Sequence, residues 1–250
     1  MKILEVKNLC KSFGGVRALS NVSFSAAAGE LLAMIGPNGA GKTTCFNLIN
    51  GQLRADAGEV FLEQRNIQGL ATRELWRLGV SRSFQIAAAF GSMSVRENVQ
   101  VALLSHARML GSFFSSMKNA FENESKNILE NVGLGDQADR PCSVLAYGDL
   151  KRVELALALA GRPRLLLMDE PTAGMASAER LVLMNLVKRI SKEKGISVLF
   201  TEHDMDVVFA HADRVIVLAE GELIAEGSPA GVRADAQVRR VYLGDESGHA

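Results

Sequence analysis

The chain has 250 residues, 48% of them hydrophobic, enough for a substantial core in one large domain or two small ones. Its 28 basic residues balance 28 acidic ones, which argues against nucleic acid or an anionic membrane surface as a partner held by net charge. Cys10, Cys45 and Cys142 lack metal-ligand spacing and point to a reducing compartment; Lys2, Glu5 and Lys7 interrupt any signal-peptide core, and no stretch approaches the ~20 apolar residues of a membrane span.

In chain order, residues 3–6 and 18–32 read as short strands, with turns at Gly14-Gly15 and Gly29-Glu30. Residues 31–35 form an apolar run expected as a buried strand. A glycine-rich loop follows, then a helix from about residue 42 to 50 that Gly51 ends. Between about 86 and 159 strand signals give way to amphipathic helical patterns, notably 95–110 and 120–132. The alternation then returns: strand 165–168, helix 177–191, strand 196–200, helix 204–212 and strand 214–218. This is an α/β pattern with an all-helical insert.

The loop Gly36-Pro-Asn-Gly-Ala-Gly-Lys-Thr-Thr44 fits G-x-x-x-x-G-K-[ST] between a strand and a helix. Such a loop curls its backbone N–H groups around phosphate oxygens, aided by the helix N-terminus. Gly36, Asn38, Gly39, Ala40, Gly41, Lys42, Thr43 and Thr44 are therefore candidate nucleotide-binding residues. Lys42 can reach the β- and γ-phosphates, and the Thr43 hydroxyl can ligate Mg²⁺. Further on, Leu165-Leu-Leu-Met-Asp-Glu170 is an apolar run ending in two carboxylates. Asp169 suits a magnesium ligand acting through water, and Glu170 a base that polarises the attacking water.

Four more features, in order, resemble the ABC ATPases over essentially the whole chain. Gln85, in Ser81-Arg-Ser-Phe-Gln85, is similar to the glutamine that contacts Mg²⁺ and the attacking water and senses the permease. Leu145-Ala-Tyr-Gly-Asp149 is similar to the signature motif at a helix start, which assigns Ala146, Tyr147 and Gly148 to ATP held by a partner subunit. His203 resembles the switch histidine at the γ-phosphate, and Phe13 the aromatic that stacks on adenine. The resemblance implies a P-loop NTPase (RecA-like) core over 1–85 and 160–243 with an N-terminal antiparallel β subdomain. It also implies a helical signature subdomain at about 86–159, and the last residues, 245–250, read as a disordered tail. It further implies ATP hydrolysis, a homo- or heterodimer clamped by ATP, transmembrane permease partners at the cytoplasmic face and, indirectly, a periplasmic solute-binding protein.

The common signature has Ser and Gly where this chain has Ala146 and Tyr147, and Gln where it has Asp149; Ala176 stands where many relatives carry a cross-dimer Asp. Ser-Phe-Gln, Leu-Ala-Tyr-Gly and Val-Arg-Arg-Val-Tyr-Leu-Gly244 together resemble the ATPases of branched-chain (hydrophobic) amino acid importers, and the stretch 109–117 resembles an insert in one of their two ATPase subunits. An importer ATPase for amides, urea or another small polar solute is an alternative that the resemblance leaves open. A soluble, non-transport ABC ATPase is the rival reading, and a non-hydrolysing subunit a further one. Residues 93–102 and the Gln85 loop are where a permease helix is expected to dock.

Overall fold

The computed structural model describes residues 1–83, 89–107 and 121–243. Two sheets organise it. β1 (Lys2–Phe13) and β2 (Val16–Ala27) form a long antiparallel hairpin turning at Gly14-Gly15, and β4 (Ala57–Leu62) and β5 (Arg65–Asn66) extend it on the β1 side. β1 is longer than the run 3–6 expected from the sequence, whereas β2 falls largely within the expected 18–32. Register shifts along the pair, with Asn8 and Asn21 at positive φ, interrupt the regular alternation that marks a strand.

The second sheet runs β10-β9-β3-β8-β7-β6. β3 (Leu31–Ile35), β6 (Val80–Ser83), β7 (Leu165–Asp169), β8 (Ser197–Thr201) and β9 (Arg214–Ala219) are parallel to their neighbours; β10 (Glu222–Gly227) closes the edge antiparallel to β9. Every residue of β3, β7 and β8 is buried, as expected for parallel strands covered on both faces. Alternation then sorts their side chains. Leu32, Met34, Leu165 and Leu167 pack with the hairpin sheet and α1 (Lys42–Ile49), whereas Ala33, Ile35, Leu166 and Met168 pack with the helices opposite.

α2 (Thr72–Arg77) precedes β6, and among the described residues α3 (Val95–His106), α4 (Glu122–Asn131) and α5 (Tyr147–Ala160) lie between β6 and β7. α3 begins with a reciprocal cap: Ser94 Oγ accepts from the Glu97 N–H at 3.2 Å, and Glu97 accepts from the Ser94 N–H at 2.8 Å. α6 (Ser177–Lys194), α7 (Met205–His211), α8 (Pro229–Ala234) and α9 (Ala236–Leu243) complete the order. The expected segment 109–117 and the tail 245–250 lie outside the described residues. No helix among the described residues is long and apolar enough to cross a membrane.

Candidate active site

Parallel strands place their carboxyl ends along one edge, where α/β sheets put ligand chemistry. Here β3 runs into the glycine-rich loop, β7 ends at Asp169, and β8, which lies between them, ends at Thr201 ahead of Glu202 and His203. The pairings Met34 with Thr201 and Asp169 with Thr201 bring three segments far apart in sequence to one rung. Gln85, two residues after β6 in sequence, lies outside the described residues.

The loop is shaped by contacts that admit no side chain. A Cβ on Gly36 would fall 2.2 Å from the Leu218 carbonyl oxygen, and one on Gly41, at φ +102°, would fall 2.5 Å from that of Ala18. The Gly221 N–H, in the β9–β10 turn, donates to Ala40 O at 3.2 Å and ties the loop to the sheet edge. Gly41 precedes α1, and no side chain caps that helix start. First-turn amides without intrahelical partners are thus left facing the loop. Asn38, Gly39 and Thr43 are exposed at its mouth, Thr44 is half-buried, and Ala40 is buried.

Lys42 is only 8% exposed, and its Nζ donates to the carbonyls of Gly36 (2.6 Å) and Pro37 (3.0 Å). Burial pushes its ammonium below the ordinary range, while the nearby carboxylates of Glu170 and Asp169 push it back up. Behind it, burial raises the Cys45 thiol to about 12, so that cysteine is an inert core residue.

Asp169 is buried, and both of its oxygens are engaged. Thr201 Oγ1 donates to Oδ1 at 2.7 Å, and Arg82 Nη2 donates to Oδ2 at 2.9 Å. Glu170 holds φ +48°, uncommon for a residue with a side chain, and its N–H donates to Thr201 Oγ1 at 3.1 Å. That geometry aims its carboxylate at His203, whose Nε2 lies 2.8 Å from Glu170 Oε1. Glu170 and His203, 33 residues apart, form one polar pair that is open to solvent on the His203 side.

A second set of residues braces this edge. Glu202 is buried and accepts from Thr172 N (2.9 Å) and Thr172 Oγ1 (2.7 Å), pinning the loop after Glu170. Asp204 accepts from the amides of Asp206 and Val207 and from Arg180 Nη1 at 2.7 Å; Arg180 Nε donates to Met175 O at 2.8 Å. Burial pushes the Asp204 carboxyl up, but Arg180 and the two amides outweigh it and hold it below the usual range.

Burial also raises the Glu202 carboxyl above its ordinary 4.5, against the hydrogen bonds from Thr172. A raised value in the fold means that the stability it contributes is complete below the ordinary value and is lost as pH rises through the folded one. Glu202→Gln keeps an acceptor for Thr172 without the charge. Its melting temperature relative to wild type is therefore expected to improve between about pH 4 and about pH 7. A difference that shrinks over that range would mean that the Thr172 contacts require the ionised form.

The signature segment lies beside the same loop. α5 starts at Tyr147, one residue earlier than Gly148, and Ala146 supplies no side-chain cap. Tyr147 Oη donates to Ala173 O at 3.0 Å, and Asp149 pairs with Arg152 at 3.7 Å. Ala146 and Tyr147 are exposed. Phe13 is 46% exposed at the hairpin tip, opposite Val16, with the Lys11 ammonium 5.4 Å from its ring centroid. The sequence reading missed Arg82, Thr201, Glu202 and Arg180. Arg82 was the most legible of these, a lone charge in a strand-length run just ahead of Gln85.

The family model described as ABC transporter matches residues 19–173, and one described as branched-chain amino acid ATP-binding cassette transporter matches 222–247. The chain is 36% identical to the high-affinity branched-chain amino acid transport ATP-binding protein LivG of Salmonella typhimurium, over 97% of this chain and 98% of the relative. It is likewise 36% identical to BraF of Pseudomonas aeruginosa at the same coverage, and 35% to a probable LivG of Methanocaldococcus jannaschii over 98% of each chain. A solved ATP-binding cassette of an ABC transporter in its ADP conformation superposes with a TM-score of 0.87 at 33% identity, covering 98% of this chain and all of the other. A dimeric cassette in a post-hydrolysis state with ADP and phosphate gives 0.75 at 27% identity, covering 90% of this chain and 98% of the other. In sequence and fold, this chain belongs to the ABC transporter ATP-binding proteins and is an ATPase cassette of that family.

Proposed function

We propose that the chain hydrolyses ATP to power import of branched-chain or similar hydrophobic amino acids. It works as one of a pair of ATPase subunits bound to transmembrane permeases at the cytoplasmic face, with a periplasmic binding protein delivering the solute. The observation that carries the hydrolytic part is the Glu170–His203 pair beside the buried Lys42 and Asp169. Similarity of residues 222–247 to branched-chain amino acid cassettes, and of the whole chain to LivG and BraF, supports the solute class.

In this reading the loop from Gly36 to Thr44 and the uncapped start of α1 hold the phosphates, Lys42 draws the β- and γ-phosphates inward, and Phe13 covers the adenine. Glu170 accepts the proton of the attacking water, and His203 orients Glu170 and reaches the γ-phosphate. Ala146, Tyr147 and Gly148 place the start of α5 toward the partner subunit's nucleotide. The residues suit magnesium. Among the described residues no three His, Cys, Asp or Glu side chains could hold a metal together. One buried carboxylate, Asp169, with the Thr43 hydroxyl and Gln85, would hold such an ion, which takes few protein ligands when it arrives with a nucleotide. An ion held by these residues would supply positive charge against the phosphates.

A groove of about 310 Å³ is lined by Trp76 of α2 and Arg82 of β6 and by Val101, Ala102 and Leu157 of α3 and α5. It takes in part of the 93–102 stretch; Met93 does not line it, but Phe90, 57% exposed, does. This is the dock proposed for the permease helix. With permeases and binding protein in proteoliposomes, wild type is expected to drive ATP-dependent leucine uptake. Phe90→Glu should abolish uptake while the isolated subunit's ATPase stays intact. Uptake of an amide or urea in place of leucine would overturn the solute class, and recovery of only soluble partners from native membranes would favour a non-transport ATPase.

A further inference from the structure

Arg82 stands between the site and the groove. Its Nη1 donates to Asn47 Oδ1 at 2.6 Å and to Gln52 Oε1 at 2.9 Å, and its Nη2 donates to Asp169 Oδ2 at 2.9 Å. The ion pair is largely removed from water, at 16% and 6% side-chain exposure. With Thr201 Oγ1 on the other oxygen, the carboxylate is satisfied before any nucleotide arrives. Asn47 lies in α1, just behind the phosphate loop, and Gln52 follows that helix; Arg82 is also among the residues that line the groove.

We propose that Arg82 is a positioning residue that serves as the resident counter-cation of Asp169 and competes with the metal of the incoming nucleotide. An arginine keeps its charge at any working pH, and a divalent ion within a few ångströms of it in a half-buried site is repelled. Metal loading therefore weakens the hold of the guanidinium on Oδ2 and favours its departure. Asn47 and Gln52, both neutral acceptors, can retain it through Nη1 after that bond is lost. The competition has a linked consequence. Whatever draws Arg82 away from Asp169 on the groove side tightens the metal site, and metal binding frees Arg82 toward the groove by the same factor.

The inference rests on Asp169 as the magnesium carboxylate of the proposed function, and one titration separates the two. Binding of the imido analogue of ATP to the purified full chain is measured by displacement of a fluorescent nucleotide, in EDTA and across a magnesium series. Arg82→Gln is expected to lower the magnesium concentration for half-maximal tightening about tenfold, the effect of losing one charged hydrogen bond, without strengthening binding in EDTA. Arg82→Lys keeps the charge but not the fork, so it should shift the midpoint the same way by less, and it carries the test if the glutamine variant melts early. A midpoint that is unchanged or raised would show that Arg82 only orients Asp169, which overturns the competition. Wild-type binding that ignores magnesium would overturn the metal reading itself.

Discussion

Glu170→Gln is expected to lower ATP turnover by roughly 10²- to 10⁴-fold, the usual contribution of a positioned general base, while ATP binding survives. The substitution changes two atoms' chemistry and little else. Glu170 is held by its backbone, whose N–H donates to the Thr201 hydroxyl and carbonyl, so the positive φ and the direction of the side chain should persist. An amide oxygen can still accept from His203 Nε2, 2.8 Å away, but it cannot take a proton from water at neutral pH. Because the loss falls on the chemical step, the ATP-loaded pair should accumulate and appear as a dimer in size-exclusion chromatography with Mg-ATP. Turnover that survives the substitution would place the base elsewhere.

Lys42→Ala is the second large effect, and it falls on binding. In the structure the ammonium is fixed by two carbonyls of the loop it would share with phosphate, Gly36 O and Pro37 O. It is buried yet remains near two carboxylates, so a positive charge stays concentrated behind the loop mouth. Truncation removes a charge-assisted contact to phosphate, worth about 1.5–3 kcal/mol, and strips a donor from two carbonyls. Nucleotide affinity is expected to fall on the order of 100-fold by fluorescent nucleotide titration, with a melting temperature only a few degrees lower. Tight binding by Lys42→Ala would mean that the phosphates sit elsewhere. Lys42→Arg should not rescue it, because the longer guanidinium does not fit a site 8% exposed.

The sequence by itself determined the elements whose cause is local. The run from Leu31 to Ile35 is buried on both faces and reads as a strand without help. The loop from Gly36 to Thr44 is legible because its glycines and Lys42 carry their chemistry in adjacent positions. The Leu165–Asp169 strand, the helix opening at Ser177 and the Arg214–Ala219 strand all fall close to their expected bounds. Several of the shorter elements were not legible. β4, β5, β6, β10 and α2 are two to six residues long and half-exposed in part, so neither a period of two nor one of 3.6 residues has room to show.

Only the tertiary structure decided what meets what. Strand order placed β8 between β3 and β7, and that one topological fact sets His203 on Glu170 and Thr201 on Asp169. Arg82 and Asp169 are 87 residues apart, and Thr172 and Glu202 are 30 apart. Such pairs leave no mark in a single chain's periodicity, because each partner obeys only its own strand or loop. Their meeting is fixed by the packing of a parallel sheet, whose crossovers bring distant strand ends to one edge.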